Sequence, residues 1–426
     1  MSQFLALPPA RALAGTVRVP SSKSATNRAL LLAALAAAPV EIVRPLESED
    51  TDALVRCLIA MGADIRKTTE GLRVSGPLFG GGGAEVVLDA GDSGTAARFL
   101  IAAAAVTPGR FLLGGSPRLC ERPMGELVHA LRAAGARLVH RGRDGCLPLE
   151  IEGGAPVATA LSVDASRSSQ FVSALLLAAV GVEGGLRVRA TGPTASAPYV
   201  ATTLDVLRDF GHEVAEGDAI AVRRGSRLAP RYEVPGDYSS AVPLAAAVGA
   251  AGGDVEIAGL RWPSRDADSR ALPVLEAMGV ALEPTAAVLR VRADRGALRS
   301  TSVAAAEFPD AVPSLTALAM LAPGRSDFSG VGHLRLKESD RLTALAALAE
   351  AIGARAAVSE DALTIEGTPG GTRPSLVRAP TFRDHRIAMA AGIVALRLPG
   401  LLIEEPDCVA KSYPGFFRDL ESLALR

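Results

Sequence analysis

The sequence predicts an α/β protein of two domains, each built from three repeated units that alternate helices with short strands. Three observations carry this reading. The chain has 426 residues, more than one hydrophobic core usually organises. Amphipathic helical patterns end five times at a glycine followed by a short apolar run, and alanine-rich patterns end six times at a glycine or proline followed by another. The two series stay in step along the chain, which is how a repeated supersecondary unit reads in sequence.

The first alanine-rich helix follows the leader Lys23-Ser24-Ala25-Thr26-Asn27-Arg28 and stops at Pro39, ahead of a strand at residues 40–43. Its equivalents stop at Gly109, Gly184, Gly252, Gly324 and Gly400, spaced by 70, 75, 68, 72 and 76 residues. The amphipathic series covers residues 58–65, 131–138, 207–214, 275–282 and 348–356, with caps at Gly62, Gly135, Gly211, Gly279 and Gly353. Those caps are spaced by 73, 76, 68 and 74 residues. Glycine just past a helix supplies the left-handed cap, and the run after it reads as a strand. The sixth unit has little chain left for strands after residues 416–420, and the N-terminal stretch up to Val19 can supply them. Residues 1–19 with 237–426 are therefore read as one domain, and residues 20–236 as a second, inserted one.

Composition narrows the partners. The 45 basic and 46 acidic side chains leave a net charge of -1, which gives no bulk attraction for nucleic acid or an acidic membrane. An anion site must then come from local arrangement. The four cysteines, Cys57, Cys120, Cys146 and Cys408, form no CxxC pair, which argues against disulfide stapling and structural zinc. The N-terminus lacks a signal-peptide pattern, and the longest apolar stretch, residues 29–38, is too short to span a bilayer. A reduced, cytoplasmic protein is expected.

The six helix leaders carry the chemistry. Besides the first, they are residues 91–98, 166–170, 236–240, 308–313 and 382–386, each a small-polar or charged cluster before an apolar helix. Helix starts offer unpaired N–H groups and the positive end of the dipole, and so suit anions. Ordinary N-capping explains the serines, threonines and aspartates, and for 236–240 it is the preferred reading. It does not explain Lys23, Arg28, Arg98 and Arg386, since the dipole repels a cation there. An anion shared between helix start and cation resolves the conflict. The run Lys337-Glu338-Ser339-Asp340-Arg341 mixes two carboxylates and two cations, either as a surface ion network or with Arg341 holding a substrate carboxylate while Glu338 handles a proton.

Other features carry less. Gly80–Gly83 has no following Lys-Ser/Thr and reads as a flexible loop, not a P-loop. No GxGxxG opens a helix after a strand, which argues against a dinucleotide. His129, His140 and His212 lack metal-ligand spacing and read as surface residues, whereas His385, between Asp384 and Arg386, reads as a buttress. No metal and no cofactor are expected.

Eight stretches match a known family in order. They are Ser22-Lys23-Ser24 through Asn27-Arg28-Ala29-Leu30, Ser93-Gly94-Thr95-Ala96, Glu121-Arg122-Pro123, Ser168-Ser169-Gln170-Phe171, Pro309-Asp310-Ala311, Lys337 to Arg341, Asp384-His385-Arg386, and Lys411-Ser412-Tyr413-Pro414. Over nearly its whole length the chain resembles the 3-phosphoshikimate 1-carboxyvinyltransferases, or EPSP synthases. The resemblance implies an inside-out α/β barrel fold, with two domains of three units closing around phosphoenolpyruvate and shikimate 3-phosphate. It implies that Lys23, Ser24, Arg28, Ser168, Ser169, Gln170, Ser196, Asp310 and Lys337 face shikimate 3-phosphate. Lys23, Gly94, Arg122, Gln170, Arg341, Arg386 and Lys411 would face phosphoenolpyruvate. Asp310 would be the base toward the 5-hydroxyl, Glu338 the proton donor to the methylene carbon, and Lys23 a further catalytic group. A monomer inhibited by glyphosate is implied too, since Gly94 leaves room for the inhibitor.

The sequence departs from the family pattern at Asp92, where asparagine is frequent, at Phe99, where proline is, and at Cys120, where a basic residue is. His333 stands where some members use asparagine toward shikimate. The rival enolpyruvyl transferase that acts on UDP-N-acetylglucosamine is disfavoured, because Gly114-Gly115 is followed by Ser116 and not by that family's cysteine. A non-catalytic anion binder is disfavoured by the presence of both Asp310 and Glu338.

Overall fold

The computed structural model describes residues 4–36, 38–154, 158–368 and 376–425. The chain divides into two compact units, one of Met1–Pro20 with Pro235–Arg426 and one of Ser21–Val234.

Within Ser21–Val234 the alanine-rich helices Lys23–Leu35, Gly94–Val106 and Ser169–Ala178 share one hydrophobic core. Helices apolar on every side must be buried on every side, and each fully buried leucine contributes about 1.5–3 kcal/mol. Around them lie three four-stranded sheets. In one, Ala160–Asp164 runs parallel to Leu186–Thr191, which pairs antiparallel with Ile220–Arg223, which pairs with Glu213–Ala215. The same order recurs in Gly80–Asp89, Gly109–Gly114, Leu149–Gly153, Arg137–His140 and in Arg231–Glu233, Val40–Val43, Gly71–Ser75, Asp64–Lys67.

The unit with the termini repeats the plan around Tyr238–Ala251, Val312–Leu321 and His385–Ala395. All residues of Tyr238–Ala251 are buried. One of its three sheets is completed by the N-terminal strand Phe4–Ala6, antiparallel to Leu401–Glu404, while in another Ala12–Arg18 runs parallel to Gly253–Ala258. The α/β class and the sixfold repeat are both present, and every glycine of the two predicted series has a positive φ, from 77° at Gly184 to 147° at Gly109.

Two expectations fail. Gly80–Gly83 is no loop: it opens the strand Gly80–Asp89, whose pairing shifts register between Gly80 and Glu85. A Cβ at Gly80 would lie 2.7 Å from Gly109 Cα, so glycine lets two backbones meet. His212 is buried, not superficial, and His140 is partly covered, its Nδ1 2.7 Å from the Cys146 carbonyl; His129 is exposed. Among the described residues no helix is long and apolar enough to cross a membrane.

Candidate active site

Each unit gathers its candidate residues at helix starts. In Ser21–Val234, Ser22 caps the first helix by accepting from the Ala25 N–H (3.3 Å), which leaves Lys23 in the first turn. Asp50, itself nearly buried, pairs with Lys23 at 3.0 Å and fixes the ammonium. Arg28 lies deeper than a helix-start cation. Its guanidinium donates to Thr203 Oγ1 (2.7 Å), to the Ser24 carbonyl (2.8 Å) and to the Tyr199 carbonyl (3.1 Å).

A second group surrounds the next two helix starts. Ser93 caps Gly94–Val106, and the Arg122 guanidinium lies so close to Gly94 that a Cβ there would be 2.6 Å from it. Arg98 donates to Gln170 Oε1 (2.6 Å) and to the Pro123 carbonyl (3.1 Å), while Gln170 Nε2 donates to Thr95 Oγ1 (2.9 Å). Arg98 thus ties Gln170 to the loop bearing Arg122. Ser168 caps the helix Ser169–Ala178 by accepting from the Gln170 N–H, and the Ser169 N–H donates to the Ala195 carbonyl beside Ser196. Ser196 is a buried residue at φ 56°, a backbone state that costs a non-glycine residue on the order of 1–3 kcal/mol and clusters at functional sites. Asp92 accepts a hydrogen bond from Ser116 Oγ. Arg28 and Arg98 therefore each donate to neutral oxygen acceptors within the protein.

The unit with the termini holds a tighter cluster. Arg341, fully buried, donates through Nε to Asp384 Oδ2 (2.8 Å), through Nη1 to Asp310 Oδ1 (2.9 Å) and through Nη2 to Glu338 Oε2 (2.9 Å). Arg386 donates to Ser239 Oγ (2.6 Å) and Asp310 Oδ2 (3.3 Å), and Lys411 lies 3.5 Å from Glu338. Ser339 Oγ and the Arg386 N–H donate to Asp384, which also caps the helix His385–Ala395. Burial opposes the charge on Arg341, but Asp384, Glu338 and Asp310 together outweigh it and raise its pKa. Three carboxylates thus face three cations. Lys337, at the end of a short turn, and His333 belong to the same neighbourhood, since both charges act on each other and Asp310 acts on His333.

Sequence reasoning gave no role to Asp384, Asp50, Ser239 or Thr203. Asp384 carried one legible signal: an aspartate before an apolar helix is a cap. In the leader at 236–240 Asp237 caps the helix, accepting from the Ser239 N–H at 2.8 Å, while Ser239 also accepts from Arg386 and so joins the cluster.

Burial pushes the pKa of His212 and His333 from 6.5 down to about 4 in each case. The unfolded chain then binds protons that the folded chain refuses between about pH 6.5 and 4. Stability should fall as pH drops through that window, by about 1.4 kcal/mol per pH unit for each histidine at most. Urea titrations at several pH values should show this slope halved in His212→Gln. An unchanged slope would exclude His212 from the linkage.

The family model for EPSP synthase (3-phosphoshikimate 1-carboxyvinyltransferase) matches residues 8–420. A 3-phosphoshikimate 1-carboxyvinyltransferase from Thermococcus kodakarensis is 40% identical over 414 residues, covering 96% of this chain and 97% of that protein. One from Methanoculleus marisnigri is 38% identical, covering 94% of each. Among solved structures, EPSP synthase from Acinetobacter baumannii superposes with a TM-score of 0.77 at 27% identity, over 99% of this chain and 98% of that one. The enolpyruvyl transferase NikO from Streptomyces tendae shares the fold, with a TM-score of 0.74 at 21% identity over 99% and 97% of the two chains. Continuous similarity of this extent leaves one assignment: the chain belongs to the EPSP synthase (3-phosphoshikimate 1-carboxyvinyltransferase) family.

Proposed function

We propose that this chain transfers the enolpyruvyl group of phosphoenolpyruvate to the 5-hydroxyl of shikimate 3-phosphate, releasing phosphate. The observation that carries this is the pair Asp310 and Glu338, two partly exposed carboxylates 2.9 Å from the same buried guanidinium. Glu338 protonates the methylene carbon of the donor, which makes its C2 electrophilic. Asp310 takes the proton of the 5-hydroxyl as that oxygen attacks C2. The tetrahedral adduct then loses phosphate from C2 while the Glu338 carboxylate takes back a proton from the former methylene carbon, which restores the double bond. The two carboxylates need opposite protonation states. Anionic groups of the donor binding Arg341 and Lys411 would take cations away from Glu338 and favour its protonated form.

In this reading Lys23, Ser24, Arg28, Ser168, Ser169, Gln170, Ser196, Asp310 and Lys337 serve shikimate 3-phosphate. Lys23, Gly94, Arg122, Gln170, Arg341, Arg386 and Lys411 serve phosphoenolpyruvate. Planar bidentate arginines suit its carboxylate, and several cations suit its phosphate. The enzyme works as a cytoplasmic monomer without a cofactor, and glyphosate inhibits it.

The test is phosphate release from phosphoenolpyruvate with shikimate 3-phosphate or UDP-N-acetylglucosamine as acceptor. Turnover is expected with the first alone, and Lys23→Ala and Glu338→Ala should each lower kcat by at least about 100-fold. Equal turnover with UDP-N-acetylglucosamine, or full activity in Glu338→Ala, would overturn the reading.

A further inference from the structure

The outward face of the sheet Ala160–Asp164, Leu186–Thr191, Ile220–Arg223, Glu213–Ala215 carries a row of exposed arginines. Period-2 alternation puts Leu186, Val188 and Val222 inward and Arg187, Arg189 and Arg223 outward. Arg187 sits directly opposite Ala221, so Arg223, two residues further along that strand, is its diagonal neighbour. Such neighbours have Cα atoms roughly 7–8 Å apart, within reach of one shared ligand group. The row continues through Ala221 to Ala215, and these small side chains leave a groove of about 450 Å³. Its lining includes Arg187, Arg223, Glu213, Thr159, Ala215 and Ala221. Gly185, at φ 79°, is required by the backbone, since a Cβ there would collide with the Val222 carbonyl oxygen.

The sister sheets treat the same face differently. They cover it with cross-strand ion pairs: Arg110–Glu150 and Arg137–Glu152 in one, Arg290–Asp254 and Arg292–Glu283 in another, Arg355–Glu366 in a third. In this sheet, among the described residues, Arg187, Arg189 and Arg223 have no carboxylate within 4.0 Å, although Glu213 stands opposite Arg223 in register. Arg187 and Arg223 both line this groove without a described carboxylate at ion-pair distance, so their guanidiniums offer a fork for an oxyanion, and the volume exceeds that of phosphate alone and fits a small metabolite.

We propose that this groove binds a small molecule through a phosphate-type oxyanion held by Arg187 and Arg223, with Glu213 limiting the negative charge it accepts. It is separate from every residue assigned to catalysis above. The probe is inorganic phosphate, followed by backbone amide shifts of Arg187, Ala215 and Ala221 in the full-length protein. Saturable shifts are expected at these amides. Arg187→Gln/Arg223→Gln should weaken the midpoint by about tenfold or more while kcat and KM stay unchanged, and Glu213→Gln should tighten it. The variant also separates this site from the catalytic one, whose phosphate response it leaves intact. Linear, non-saturating shifts, or saturable shifts that survive the double substitution, would overturn the proposal.

Discussion

Arg341→Met should abolish phosphate release and lower the stability of its unit by about 3–5 kcal/mol. The guanidinium has no exposure to lose and serves three carboxylates, of which Asp384 is itself completely buried. Methionine fills much of the volume but leaves Asp384 charged and fully buried without its guanidinium partner. Removing one partner of a buried pair costs far more than removing both. Adding Asp384→Asn to Arg341→Met should therefore recover most of the lost stability, since asparagine still caps the helix His385–Ala395. Activity should not return, because Asp310 and Glu338 still lack the group that holds them both. The single tryptophan, Trp262, belongs to this unit and reports its unfolding in urea. A single variant within about 1 kcal/mol of the parent, or a double variant less stable than the single, would refute this account of the network.

The repeat was legible because helix ends are local events. A helix that must stop and turn into a strand needs a left-handed residue, and glycine advertises it in sequence at ten of the positions read. Strand exchange left weaker traces. Nothing near Arg231–Glu233 announces that it pairs with Val40–Val43, because that partnership spans most of its unit. The N-terminal strand was inferred from a shortage of chain in the last repeat, an argument about counting and not about pattern.

The site was legible as a set of motifs and not as a set of contacts. Lys23 and Asp50 belong to different helices, as do Arg98 and Gln170, and Arg341 and Asp384. No periodicity encodes which buried cation meets which carboxylate. The errors have the same origin. His212 was read as superficial because it lies in no motif, yet it follows the capped helix end at Gly211 and is buried there. The glycines at 80–83 were read as a loop from composition alone, although a close backbone approach to Gly109 calls for glycine just as strongly.

Gly94→Ala should leave the fold intact and weaken the donor. The new Cβ would lie 2.6 Å from the Arg122 guanidinium carbon and one of its nitrogens, and 2.8 Å from the other. That is the far end of a flexible side chain, so the arginine moves and the backbone does not. Alanine is also the better helix former at this first position of Gly94–Val106, so the melting temperature should hold. If Arg122 serves phosphoenolpyruvate as proposed, its displacement should raise KM for that substrate by about tenfold, roughly the loss of one charge-assisted contact. Glyphosate should inhibit the parent competitively with phosphoenolpyruvate and the variant more weakly, since the methyl also removes the space beside Gly94. The route through Arg122 is separable from simple crowding. If the methyl acts by moving the arginine, Gly94→Ala should add little to KM once Arg122→Ala is present. If the two effects add in full, the methyl touches the donor directly and the displacement mechanism is wrong.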